Sequence, residues 1–317
     1  METVETRRMK FGIFITLQPP SIICYLASIH YILSHRGTRQ ALHHHGPLVL
    51  LFVGLITVIF DLSMILDFLR TGVVTPSNEV YCSTWIFFDM LLYALTCVLM
   101  LWISIERHIL IFHNQQLLDT KRKRFFAHYF PIAFIFGYLI VFYAYNVFFY
   151  PCNNQYDYQV VVCSGACFAF ANPILGLYDQ FANSVVPYLL ITIVNVGLWL
   201  RIVWQKHYRM RRAVDWRQHR KIIVQFAPVL IVYMFGYLTY GSLECYNMIH
   251  GPTDLSTTIQ QVYFFYFFYL VGLLHPFVCL IGTPEIYRKW LPKRNRQIVP
   301  TTMNPRNGMS RLATTMF

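Results

Sequence analysis

Charge is what this sequence has least of. Only 13% of its 317 residues are Asp, Glu, Lys or Arg, while 56% are hydrophobic and 17% aromatic, and the mean hydropathy is +0.45. That balance excludes an ordinary water-soluble domain. Internal repeats, low-complexity linkers and shifts of composition are all missing, so nothing divides the chain into separate folding units. No Asn-x-Ser/Thr triplet occurs, and external N-glycosylation is not expected. The Ser, Thr, Cys and His residues form no constellation of nucleophile, base and orienting group, which leaves catalysis without support and implies no cofactor. The three histidines of "LHHHG" (Leu42 to Gly46) are adjacent, so they cannot all face one ion, and no cysteine stands near them; metal binding is not expected.

What the chain does have is long apolar runs. Seven match the roughly 20 residues that a helix needs to cross the hydrocarbon core of a bilayer: Phe11 to Leu33, Leu48 to Leu69, Ser83 to Ile105, Phe125 to Phe149, Asp179 to Val203, Ile222 to Tyr246 and Ile259 to Ile281. The first contains Pro19 and Pro20, which should bend or locally unwind it. It carries no small-residue cleavage site and reads as a span, not a signal peptide. Asp61 and Asp67 interrupt the second. The predicted fold class is all-α, a seven-helix transmembrane bundle spanning 11–283, with an arm at 1–10, a surface helix at 284–292 and a tail at 293–317.

Lys and Arg number 26 against 14 Asp and Glu. So basic a balance could suggest nucleic acid until the charges are placed: all but Arg7, Arg8, Lys10 and Arg70 fall on one side of the spans. "KRKR" (Lys121 to Arg124) and the stretch Arg201 to Lys221 are the densest blocks. The positive-inside rule puts that side in the cytoplasm and the amino terminus outside, so the expected basic partner is the inner membrane surface, with no nucleic acid. After the seventh run, Thr283, Pro284 and Glu285 form a helix start. Ile286, Trp290 and Leu291 then share a face suited to membrane lipids. Thr301, Thr302, Ser310, Thr314 and Thr315 in the tail are weak phosphate acceptors.

Cys24, Cys97 and Cys279 lie inside apolar runs, and Cys245 near the outer end of the sixth. Cys82, Cys152, Cys163 and Cys167 fall outside, where an oxidising exterior favours pairing and three connectivities exist. A bridge from Cys82 would hold the long loop Tyr150 to Tyr178 over the bundle. The pairing expected is Cys82 with Cys167, and Cys152 with Cys163 closing a hairpin around Val160 to Val162.

The third run ends in Glu106-Arg107-His108, and Cys82 stands at its mouth, 25 residues or about 37 Å of helix before Arg107. The seventh ends "HPFVCLIGTPEIY", and the fifth carries Pro187. On these residues the chain resembles the rhodopsin-like class of G-protein-coupled receptors over Phe11 to Pro292. That class has a disulfide cysteine and Asp/Glu-Arg-Tyr at the two ends of the third helix, a span-five proline, and Asn-Pro-x-x-Tyr before a short surface helix. The departures are specific. His275 replaces the asparagine before Pro276, Cys279 stands for the tyrosine, span four lacks tryptophan, and span six lacks both tryptophan and Cys-Trp-x-Pro. Asp61 matches the class's sodium-coordinating aspartate, but the partner asparagines are missing. Such a mixture resembles the divergent receptors of some invertebrate lineages. No lysine occurs in Ile259 to Ile281, so a retinal-binding opsin is excluded.

Asp89 lies mid-span in "CSTWIFFDMLLYAL", and an acid at that depth is a functional hypothesis in itself. Within the resemblance it stands where amine and some cationic-peptide receptors hold the ligand's ammonium. Tyr269 stands where those receptors carry the tyrosine that orients it. Trp85, Phe88, Tyr93, Tyr263, Phe264 and Tyr266 offer faces for cation–π contact. The resemblance therefore implies a plasma-membrane receptor for an extracellular amine or cationic peptide, coupled to a heterotrimeric G protein through Glu106, Arg107, His108, His275 and Pro276. The alternatives are a seven-span scaffold without signalling and a proton-coupled transporter using Asp61 and Asp89.

Overall fold

A computed structural model describes residues 3–112, 120–208 and 231–282, apart from 236, 238, 244, 248 and 252. Every regular element among them is helical. Six helices are long and apolar enough to cross a membrane: Val4–Ser34, His45–Thr71, Glu79–Leu110, Lys121–Phe149, Pro173–Leu198 and Asp254–Leu280. They are the first to fifth spans and the seventh. The sixth is represented by residues 231–250, helical wherever described. Its first part, the basic loop before it with Asp215, the expected surface helix 284–292 and the tail lie outside the described residues.

Local chemistry fixes the helix ends. Thr3 accepts from the Thr6 amide at 3.2 Å, so the first helix begins at Val4, inside the stretch expected as an arm. It continues through Pro19 and Pro20. The second span stops at Gly72, whose φ of 81° is the left-handed conformation that satisfies the Phe68 carbonyl. Asp67, one of the two acids that break its apolar run, sits at this end, bonded to Arg70 at 2.8 Å and Thr75 at 2.6 Å. The seventh opens with a capping box of Thr253 and Ser256.

The third span is the axis of the bundle, packed against the second, fourth and fifth, while the first packs against the second and seventh. Trp85, Ile86, Ala94, Leu99 and Met100 on it are buried. Phe134, Val141 and Ile193 are more than 60% exposed although wholly apolar, the pattern of side chains that face lipid.

Four of the described spans contain a π-helical turn or adjoin one. The turns are Thr57–Asp61, Phe125–Tyr129, Tyr145–Phe149, Phe181–Val185 and Gln260–Phe264, the second and third of these lying in one span. One extra residue rotates all that follows by about 100°. It also disturbs the carbonyl ladder, which a bilayer cannot repair with water. In the second span Gln18 of the first makes the repair: its Nε2 donates to the Val58 carbonyl at 2.7 Å and to Ser63 Oγ at 3.0 Å. Asp61, last residue of that turn, is fully buried.

The long loop corrects two expectations. Residues 160–164 form a tight turn instead of a hairpin, with Val162, Cys163 and Ser164 at positive φ. That turn carries Cys163 onto the head of the third span, and Cys163, not Cys167, pairs with Cys82, at a Cα separation of 5.8 Å. Cys167 opens a short helix, Cys167–Ala171, and its amide donates to Asn154 Oδ1 at 2.9 Å. Held beside the start of the loop, it pairs with Cys152. Val162 is β-branched and takes the left-handed region only where its surroundings fix it; burial and the adjoining bridge do so here.

Candidate functional site

Asp89 faces Tyr269 across the third and seventh spans, and the Tyr269 hydroxyl donates to Asp89 Oδ1 at 2.8 Å. The same hydroxyl lies 3.1 Å from Asp61 Oδ2. Trp85, one turn above Asp89, donates its indole N–H to Asp61 Oδ1 at 3.1 Å. Three spans thus meet at two carboxyl groups and one phenol, and the phenol has a single proton to give. Asp61 belongs to this cluster, brought inward at the end of the π turn. Its periodicity could not have announced that; the signal available was its lone charge in an apolar run.

A cavity of ≈ 130 Å³ opens beside the cluster. Asp89 and Tyr93 of the third span line it, with Tyr237, Tyr240, Phe264 and Phe268 from the sixth and seventh. Tyr93 is central, its ring 5.2 to 6.4 Å from those of Tyr188, Tyr237, Tyr240 and Phe268. The other aromatic candidates lie elsewhere. Trp85 is fully buried. Tyr266 stacks on Phe14 and receives the Lys10 ammonium 3.8 Å above its ring. Phe88 packs on Phe60 and Phe87. A second acid, Asp179 of the fifth span, also lines the cavity. Tyr143 and Asn183 both donate to its Oδ1 at 2.7 Å. Little in the sequence signals it, since Asp179 is where the expected fifth run merely begins.

At the opposite end of the third span Glu106 and Arg107 are both buried. Sequence proximity suggests Arg107 as the partner of Glu106, but the Glu106 carboxylate takes His128 Nδ1 of the fourth span. His128 Nε2 in turn lies 2.9 Å from His45 Nδ1, and His45 Nε2 lies 2.8 Å from the Arg39 carbonyl. Both ends of that chain accept, so its three hydrogen bonds need three protons, one more than two neutral imidazoles bring. His108 Nε2 reaches the Val194 carbonyl of the fifth span at 2.8 Å. Asn195, one residue on, donates to Ser104 at 2.9 Å.

The seventh span carries Pro276 within it, and a proline has no N–H for the carbonyl four residues earlier. That carbonyl belongs to Gly272, and the Tyr25 hydroxyl of the first span donates to it at 2.7 Å. His275 is buried at the same place, with Nδ1 3.3 Å from the Tyr25 hydroxyl and its ring 5.3 Å from that of Tyr233. At the position where the resemblance has an asparagine, His275 thus makes a contact with a tyrosine of the first span. Pro276 and His275 remain a discontinuity in the helix that neighbouring spans must satisfy.

The profile of the 7 transmembrane receptor (rhodopsin family) matches residues 22–278. The matched stretch runs from the first span to the seventh and takes in Cys82, Asp89, Arg107, Tyr269 and Pro276. No curated protein matches the chain.

Proposed function

The chain belongs to the rhodopsin family of seven-transmembrane receptors, and on that premise we propose that it binds an extracellular cationic ligand, an amine or a basic peptide, at Asp89 and couples this to a heterotrimeric G protein. One observation carries the reading: Asp89 borders an aromatic-lined cavity while Tyr269 holds its Oδ1 at 2.8 Å. A carboxylate fixed in that way, among aromatic faces and short of water, attracts a cation strongly. Tyr269 shares its hydroxyl with Asp61, so a cation arriving at Asp89 redistributes the hydrogen bonds among the second, third and seventh spans.

The inner end supplies the element to be shifted. Glu106 locked to His128, and His108 and Ser104 tied to the fifth span, describe one arrangement of the third span against its neighbours. A ligand that favours a second arrangement would release Arg107 toward the G protein, and the protein's preference for that state would raise ligand affinity in return. The basic inner loops seen in the sequence suit a partner at the membrane surface.

The test is second-messenger output in cells expressing wild type, Asp89→Asn and Arg107→Ala at equal surface density, with amines and short basic peptides applied. Agonist responses lost in both variants support the reading. A response that survives Asp89→Asn contradicts the cation site; an amine-dependent proton current without G-protein activation would favour transport.

A further inference from the structure

We propose that the cavity selects a ligand with two cationic centres, one seated on Asp89 and the other on Asp179. The inference rests on the cationic-ligand reading and adds the second anchor.

The two acids line one cavity from different spans and are tied back in different directions, Asp89 to Tyr269 of the seventh span and Asp179 to Tyr143 of the fourth. Each carboxylate spends one oxygen on the protein. Tyr269 takes Oδ1 of Asp89, while Tyr143 and Asn183 share Oδ1 of Asp179. Among the described residues no donor reaches Oδ2 of either, although Asp179 is 92% buried by the side chains around it. The Tyr93 hydroxyl, on a residue lining the same cavity, is also buried without a partner among them. None of the lining residues is basic. Two carboxylates in a bilayer interior with no basic residue among the described lining form an incomplete electrostatic unit, and leaving such charge uncompensated is costly.

The walls between the acids say what joins the two cations. Tyr93, Phe264, Phe265 and Phe268 line the cavity with aromatic rings, and such walls suit a hydrocarbon spacer and can support a cation at its ends. A single ammonium would satisfy one acid and leave the other. A compact aliphatic diamine satisfies both, with one oxygen open at each end to receive it. Tyr143 and Asn183 act as positioning residues, since they hold Asp179 through its other oxygen.

The experiment uses the full-length receptor purified in detergent and compares α,ω-diamines of three to seven carbons with primary monoamines of matching length. Ligand-induced thermal stabilisation reports binding without requiring signalling. For wild type, the best diamine should half-saturate at a concentration about tenfold or more below its monoamine, the scale of one added charge-assisted hydrogen bond. Asp179→Asn should bring the diamine down to the monoamine and leave the monoamine unchanged. That pattern is not mimicked by a folding defect, and Asp179→Glu should restore part of the preference. Asp89→Asn should weaken both ligands. If Asp179→Asn leaves the diamine preference intact, or wild type prefers no diamine, the second anchor is wrong while the Asp89 reading stands on its monoamine binding. If Asp89→Asn weakens neither, the cationic-ligand reading itself falls.

Discussion

Replacing Gly54 by alanine should disturb the bundle far more than one methyl group suggests. A Cβ at that position would overlap the Tyr25 hydroxyl and stand 2.8 Å from ring atom Cζ. Tyr25 is fully buried and has no open space to swing into. Its hydroxyl supplies the donor that Pro276 withholds from the Gly272 carbonyl, at 2.7 Å, and lies 3.3 Å from His275. Forcing the ring aside therefore adds an overpacking cost of about 1–3 kcal/mol to the loss of a buried hydrogen bond, about 1 kcal/mol. Together the substitution should destabilise the protein by about 2–4 kcal/mol, measured by thermal unfolding of the detergent-purified chain. The double variant with Tyr25→Phe removes the overlapping oxygen, so its cost should fall at least about 1 kcal/mol short of the sum of the single costs. A Gly54→Ala protein as stable as wild type, or strictly additive costs, would refute the reasoning.

Three further expectations follow from individual contacts. Tyr269→Phe removes the one hydroxyl between Asp61 and Asp89 and should lower agonist potency about tenfold at unchanged surface expression; a dose–response curve that does not move would separate Tyr269 from the site. Peptide mapping under non-reducing conditions should recover Cys82 linked to Cys163 and Cys152 linked to Cys167, and recovery of Cys82 with Cys167 would overturn the loop's arrangement. His128→Ala leaves the Glu106 carboxylate buried without its histidine and should cost about 3–5 kcal/mol. Adding Glu106→Gln should recover much of that in the same unfolding assay, and no recovery would mean that the pair does not act together.

The seven spans were legible because a bilayer imposes a length and a polarity that a single sequence displays directly. Arg107, Cys82 and Pro276 were legible for a related reason, as each departs from an otherwise apolar or regular stretch. What escaped was orientation. A π turn adds one residue without changing composition, so the sequence around Thr57 to Asp61 could not tell that Asp61 would turn toward Trp85 and Tyr269. Aromatic residues were expected at the cavity as a group, yet Trp85 and Tyr266 are taken up by Asp61 and Lys10, while Tyr237, Tyr240 and Phe268 reach it. Pairings between distant segments were equally hidden: His128 with Glu106, Cys163 with Cys82 and Tyr25 with Gly272 each depend on two helices meeting at one depth. Spacing along one strand of text carries no such information. Asp179 carries no such signal, because an acid at the start of an apolar run looks like a helix end; the helix in fact begins at Pro173 and carries it inside.

The most direct test of the central claim is nucleotide exchange on a purified G protein, driven by the receptor reconstituted in vesicles and titrated with a cationic ligand. The account predicts ligand-dependent exchange for wild type, a potency at least about tenfold weaker for Asp89→Asn, and no exchange for Arg107→Ala with ligand binding retained. Equal exchange by wild type and Asp89→Asn across the titration would contradict it.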